Sequence, residues 1–454
     1  MGVEGACTPP VGNERSMFER LGSVLFVALI AFLAFIGGAM AILGEAFPHQ
    51  YLRDAYLAGE ALVAQRQETQ DRFKTDQWRV ARDSSAGVTI HDAARVSPGY
   101  TLYTAAGDAA AHLIASDGRV VHEWRKPYSA VWNEQSSVKT PQPDDLIFFD
   151  KARLLPNGDL LAIYAAAGDT PWGYGMVKLD RDSNVIWTYL VHTHHDFDIA
   201  PDGRIFALTN EFTGDQIDGM GKLPAPFLED FVVVLSPDGK EQKKISLTRA
   251  LAKSRFNILR LAIPNYALGD PLHANSVQYI DGEKARSFPL AQEGDVLLSF
   301  RDMSAVAVLS VERGEITWAA RGPWLWQHDA SLLPNGHIAL FDNLGGFEDG
   351  NGARVLEIDP KTSGIVWSYG GDAAHPLHSP LRSSAEPLPN GNFLVTESDG
   401  GRVFEVARDG AIVWNFVNPT RGGDANQFIP VATWGQRIDA QSIDPQLRAE
   451  FERK

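Results

Sequence analysis

Six copies of one paired phrase run along this chain, and they leave few folds open to it. The first half of the phrase is a turn followed by a short apolar run: SPGYTLYT (97–104), LLPNGDLLAIY (154–164), IAPDGRIFALT (199–209), EGDVLLSF (293–300), LLPNGHIALFD (332–342) and PLPNGNFLVTE (387–397). The second half is an apolar run, a turn and a run that usually ends in Trp: 111–124, 176–189, 231–247, 306–318, 354–369 and 402–416. Asn-Gly and Asp-Gly supply the positive φ that tight hairpin turns need. Each pair therefore reads as two hairpins, or four strands. Four-strand units repeating every ~40–50 residues are the signature of a β-propeller. The expectation is an all-β chain with a six-bladed β-propeller, preceded by an N-terminal transmembrane helix and a helical stalk.

That N-terminal part divides by composition. Residues 1–20 form a tail, and 21–44 (LGSVLFVALIAFLAFIGGAMAILG) are 24 residues without a charge. At ~1.5 Å per residue such a helix spans the ~30 Å hydrocarbon core of a bilayer. A cleaved signal peptide is the alternative, with Gly37-Gly38-Ala39 as a cleavage option, but its apolar core usually has only ~7–15 residues. Arg15 and Arg20 before the segment, against Arg53 and Arg66 after it, bias the N-terminus to the cytoplasm. The expected location is thus the inner membrane, single-pass, with the propeller in the periplasm. Residues 48–78 are rich in helix formers, and 45–87 read as a helical stalk and linker. The propeller is expected over 88–420, with 421–454 as a C-terminal tail that closes the propeller or docks on its face.

Composition excludes other classes. The net charge of −16 argues against a nucleic-acid partner, because a phosphate backbone calls for a basic surface. An anionic substrate would then need a local cationic pocket. The lone Cys7 excludes an intramolecular disulfide and any cysteine-based zinc site. The terminal Trp residues Trp124, Trp187, Trp318, Trp367 and Trp414 are expected to pack between blades.

Propeller geometry locates the chemistry. The innermost strand of every blade runs beside the central axis, so equivalent positions form a ring. Aligning the units on their turns brings Asp150, His195, His273 and His328 to the start of that strand, with Ser383 and His378 offered by the last unit. Three of 12 histidines at one register are hard to explain by packing alone. The second strand of a blade returns to the same face, which puts Arg301 beside the ring. Asn275, two residues beyond His273, is expected on the same side of its strand by alternation. A guanidinium beside a divalent cation would be repulsive, so the set suits an oxyanion better than a metal, for all that His192, His194 and His195 are adjacent. No cofactor is implied.

At this point the sequence resembles the arylsulfate sulfotransferases, bacterial enzymes that use no adenylyl-sulfate donor. The resemblance covers about residues 95–420 and is carried by HHDFDIAPDG, HANSV, LLSFRD, QHDASLLPNGHIALFDN and SPLRSSAEPLPNGNFLVTESDGGRVFEV. It implies a six-bladed periplasmic propeller and ping-pong transfer of a sulfuryl group from an aryl sulfate to a phenolic acceptor. On that basis His328 is the sulfated nucleophile, and His195 and His273 handle protons and charge. Asn275 and Arg301 grip the sulfuryl oxygens; His194 could take the place of His195, which the turn alignment favours, and the same alignment adds His378 and Ser383 as further binding residues. The chain departs from the family in lacking a disulfide near the active site and in the short spacing from Arg301 to His328. The residues alone leave a second reading open, a non-catalytic propeller serving a cell-envelope complex as scaffold or ligand-binding subunit.

Overall fold

The computed structural model describes residues 17–44, 47, 49, 71–346 and 352–453, so most of the N-terminal tail and most of the expected stalk lie outside the described residues. Two compact units are present, 1–67 and 68–454. In the first, Met17–Leu43 is one α-helix. Its stretch Leu21–Leu43 is long and apolar enough to cross a membrane, a property that a single-pass anchor and a signal sequence share.

The second unit is a six-bladed β-propeller. Blade 2 is built from Ile147–Leu154, Leu160–Ala166, Gly173–Leu179 and Val185–Tyr189, innermost strand first. The innermost strands of blades 3 to 6 are Thr193–Ile199, Ala274–Tyr279, His328–Leu332 and Ser384–Pro387. Each pairs antiparallel with the strand that follows it. Blade 1 is different. Its strands Tyr100–Ala105, Ala110–Ile114 and Val120–Arg125 receive their innermost partner, Ala432–Ile438, from the far end of the chain.

This joint corrects two expected boundaries. The propeller does not end at 420, because Ala432–Ile438 closes the ring and leaves no inner edge strand unpaired. Nor does the stalk run to 87: Trp78–Val80 pairs with Phe428–Pro430, and Phe73 stacks on Phe428 with centroids 5.5 Å apart. Gly87–His91 then adds a fifth strand to blade 6.

Two sets of side chains hold neighbouring blades together. On the outside, the repeated Trp donates its indole N–H to a turn of the next blade. Trp124 bonds Gly158 O at 3.2 Å, Trp187 bonds Pro237 O at 3.2 Å, Trp367 bonds Arg408 O at 2.9 Å and Trp414 bonds Ser116 O at 2.8 Å. Beside the axis, polar side chains of one inner strand reach the next. Asp196 accepts from Val277 N at 2.8 Å, Ser276 from Ala330 N at 3.1 Å, Asp329 from Ala385 N at 2.8 Å and Glu386 from Arg437 N at 2.7 Å. Thr433 donates to Phe149 O at 2.9 Å, and the buried Lys151 ammonium pairs with Asp196. That circuit passes through every blade. Inner-strand polar residues are therefore largely committed to structure, and those that are not stand out.

Candidate active site

The turns between first and second strands are short in blades 2, 3, 5 and 6, whereas most of the long connections gather on the opposite face. Among the latter are 126–146, 167–172, 214–226, 254–273 and 322–327. On this face the inner strands begin, and there the backbone departs from regular strand. His195, His273 and Asp329 have φ of 52°, 47° and 53°. Register shifts interrupt the inner strands at Thr193/Phe197, Ala274/Ser276 and His328/Ser331. Bulges re-aim side chains, and here they do so at the mouth of the pore.

His194 and His195 of blade 3 meet His273 of blade 4. The Nδ1 atoms of His194 and His195 are 2.7 Å apart, so one donates to the other. The rings of His195 and His273 cross edge-on at 5.0 Å. Trp172, from the 167–172 connection of blade 2, covers the group: it lies edge-on to His195 at 5.4 Å and stacks on His273 at 5.3 Å. His273 Nδ1 is 2.5 Å from Asp270 Oδ2.

His328 of blade 5 is tied into the same region. Asn275 Nδ2 donates to Gln327 O at 2.8 Å, joining the strand of His273 to the residue before His328. Arg301 N donates to His273 O at 3.2 Å, and its guanidinium lies 5.0 Å from the ring centroid of Trp326. Asp302 is the carboxylate beside it, with contacts of 3.3 Å. Tyr266 stands edge-on to Trp326 at 6.4 Å, open to solvent.

Hydrogen bonding assigns the tautomer of His328. Its Nδ1 faces two oxygens, Asn343 Oδ1 at 2.7 Å and Trp326 O at 3.1 Å. A backbone carbonyl can only accept, and Asn343 spends both amide hydrogens on Ser379 O (2.8 Å) and Arg382 O (2.9 Å). Nδ1 therefore carries the hydrogen, and the lone pair is on Nε2.

Electrostatics keep the imidazoles neutral. Burial, followed by the charge of Arg301, pulls His328 and His273 each down to about 3. Burial and then His194, His273, His328 and Arg301 push His195 well below its ordinary value. Burial acts the other way on acids, raising Asp270 and Asp150 each to about 6. At neutral pH His195, His273 and His328 are thus neutral, offering lone pairs and N–H donors beside the Arg301 guanidinium and its partner Asp302. An anion with several oxygens fits such a set. Among the described residues no three His, Cys, Asp or Glu side chains are grouped so as to hold a metal ion.

The sequence-selected residues divide into two groups. The structure gathers His194, His195, His273, Arg301 and His328, with Asn275 alongside. Simple alternation does not relate Asn275 to His273, however, because His273 precedes the strand with positive φ and a bulge follows it. Two residues fall outside the group. His378 has an exposed side chain, and its backbone N–H bonds Glu397 at 2.8 Å. Ser383 is buried in a reciprocal pair with Ser398, at 3.0 and 3.1 Å. Neither hydrogen-bonds to the imidazoles or stacks on them. Sequence reasoning missed Asp270 and did not single out Asn343 for a role, although it stands directly after the LFD run.

A sequence model of the arylsulfotransferase (ASST) family matches residues 151–419, the stretch that carries every one of these side chains. The chain belongs to the arylsulfotransferase family. No curated protein matches it. Among solved structures it is similar to a protein of unknown function from Bacteroides caccae, at 13% identity with a TM-score of 0.45, covering 74% of this chain and 99% of that one. It is also similar to a streptogramin B lyase (11% identity, TM-score 0.40, 76% and 87% covered). A virginiamycin B lyase from Staphylococcus aureus gives 11% identity and a TM-score of 0.39, with 77% and 90% covered. These likenesses say nothing about the chemistry of this arylsulfotransferase.

Proposed function

We propose that this arylsulfotransferase moves a sulfuryl group from an aryl sulfate to a phenolic acceptor, with His328 as the group that is transiently sulfated. The observation that carries the proposal is the fixed tautomer of His328. A neutral imidazole with its hydrogen held on Nδ1 presents the Nε2 lone pair as a nucleophile without first losing a proton. Because its pKa is held near 3, His328 keeps that lone pair throughout the neutral range.

Arg301 and Asn275 are proposed to grip the sulfuryl oxygens as charge builds on them. Arg301 lies over Trp326 with its guanidinium carbon 5.0 Å from the ring centroid, and Asn275 offers the amide hydrogen not used by Gln327 O. His195 and His273 are proposed to exchange the phenolic proton. Trp172 and Trp326 supply flat surfaces for the aryl groups on either side of the imidazoles. The helix Leu21–Leu43 would hold the enzyme in the inner membrane with its propeller in the periplasm, in line with Arg15 and Arg20 before it.

The test is single-turnover trapping. Incubating the full chain with a chromogenic aryl sulfate and no acceptor should release one equivalent of phenol. The peptide containing His328 should gain one SO3 group, and added phenol should discharge it. His328→Ala should abolish both events. Label on another residue, or none across a panel of aryl sulfates, would defeat the reading.

A further inference from the structure

We propose that Asp270 is the positioning residue of a carboxylate–imidazole dyad through which His273 gives a proton to the departing phenolate and recovers one from the acceptor phenol. The proposal rests on the sulfuryl-transfer reading and specifies how that site manages its proton. Asp270 is supplied by the 254–273 connection that leads into blade 4, three residues before the histidine it serves.

Three observations set this pair apart from an ordinary ion pair. Asp270 Oδ2 meets His273 Nδ1 directly, with no intervening group, in the buried part of the site. The other carboxyl oxygen, Oδ1, is buried with no hydrogen-bond partner. A bare carboxylate oxygen in such a place is costly, whereas a carboxylic acid is not. Finally, the two imidazoles that flank the pore have different partners behind them. His328 is backed by an amide and a carbonyl, neither of which can take up a proton, while His273 is backed by a group that can. The nucleophile has a fixed tautomer and the proton carrier has a reservoir.

The step balances as follows. In the loaded state Asp270 holds a proton that it donates to His273 Nδ1, and His273 carries its own hydrogen on Nε2. His328 Nε2 gives its lone pair to sulfur as the sulfur–aryl oxygen bond breaks. The leaving oxygen takes the Nε2 proton of His273, Nδ1 takes the proton of Asp270, and the dyad is left as carboxylate and neutral imidazole. In the second half the acceptor O–H proton goes to His273 Nε2, and Nδ1 returns its proton to Asp270. The acceptor oxygen then attacks sulfur as the bond to His328 breaks. The groups facing His273 are Arg301 and Asp302 of blade 4, His194, His195 and Asp230 of blade 3, and Trp172 of blade 2. Burial disfavours charge on both partners, raising Asp270 and lowering His273. With Asp270 raised only to about 6, the negative charge that a bound aryl sulfate brings nearby is what raises it further and loads the dyad at neutral pH.

Asp270→Asn keeps an acceptor for Nδ1 but cannot supply a proton, so its effect should depend on how much the leaving phenolate needs one. With 4-nitrophenyl sulfate, whose phenolate leaves unaided, kcat should fall by about 3-fold or less; with phenyl sulfate it should fall on the order of 100-fold. Asp270→Glu should recover part of the phenyl sulfate rate, and circular dichroism should match the wild type. An equal loss with both donors, or no loss with either, would overturn the dyad while leaving sulfuryl transfer standing. Absence of turnover by the wild-type chain would overturn the transfer reading and the dyad with it.

Discussion

Trp172 lies over His273 with ring centroids 5.3 Å apart and planes 29° from parallel, so an indole from one blade roofs an imidazole from another. That roof is part of what keeps water from His273, and burial is the largest cause of its low pKa. Trp172→Ala should let the His273 pKa climb from about 3 toward the ordinary value, followed by NMR titration of the ring. Loss of an aromatic stack worth ~0.5–1.5 kcal/mol should also raise KM for aryl sulfates by about 2- to 10-fold. If neither quantity moves, Trp172 is not a cover for the site.

Asn343 offers a sharper handle on the nucleophile. Asn343→Asp puts a carboxylate against His328 Nδ1, and a neighbouring negative charge raises an imidazole pKa. Protonated His328 has no lone pair, so the acid limb of the pH–rate profile should shift upward toward neutrality. The same variant loses the amide donor to Ser379 O and Arg382 O, so its Tm should drop as well. A lower Tm with an unshifted acid limb would mean that Asn343 only braces the loop.

The neutral histidines also bear on stability. In the unfolded chain His328 titrates near ~6.5, but in the fold only at about 3. Between those values the unfolded state binds the extra proton, so this residue costs stability as pH falls through ~6.5 and stops costing more below about 3. At pH ~4 its share is about 3 kcal/mol. His328→Asn removes that share. Urea unfolding at pH ~8 and ~4 should therefore show the variant gaining on the wild type by that amount on acidification. A difference independent of pH would show that His328 is not held neutral.

Blade count was legible because each hairpin turn must present residues that tolerate positive φ, and the Asn-Gly and Asp-Gly dipeptides mark them in order. The histidine register was legible for the same reason: counting back from a turn fixes where an inner strand starts. What could not be counted was missed. Asp270 stands in a 254–273 connection that no other blade repeats. His378 was assigned from a 370–383 connection with no turn of its own to set the register, and it points to solvent. Asn275 was placed by strand alternation, which the bulge after Ala274 breaks. The inner strand of blade 1 was foreseen only as a tail that closes the propeller or docks on its face, because its partner is more than 300 residues away and no adjacent hairpin announces it.

That distant strand makes the last prediction. Residues beyond 420 bury Ile429, Val431, Ile438, Ile443, Leu447 and Phe451. At ~1.5–3 kcal/mol for each such side chain, their loss approaches the whole stability of a domain, ~5–15 kcal/mol. A chain ending at 420 would also expose the unpaired edge of Tyr100–Ala105, an apolar strand buried along its length. It should be insoluble or show no cooperative melt. A chain ending at 443 keeps the closing strand Ala432–Ile438 and loses only the helix Pro445–Arg453, with its buried Leu447 and Phe451. It should fold, with a lower Tm and an intact active site. Were the two truncations to behave alike, ring closure by the C-terminal strand would not be what holds the propeller together.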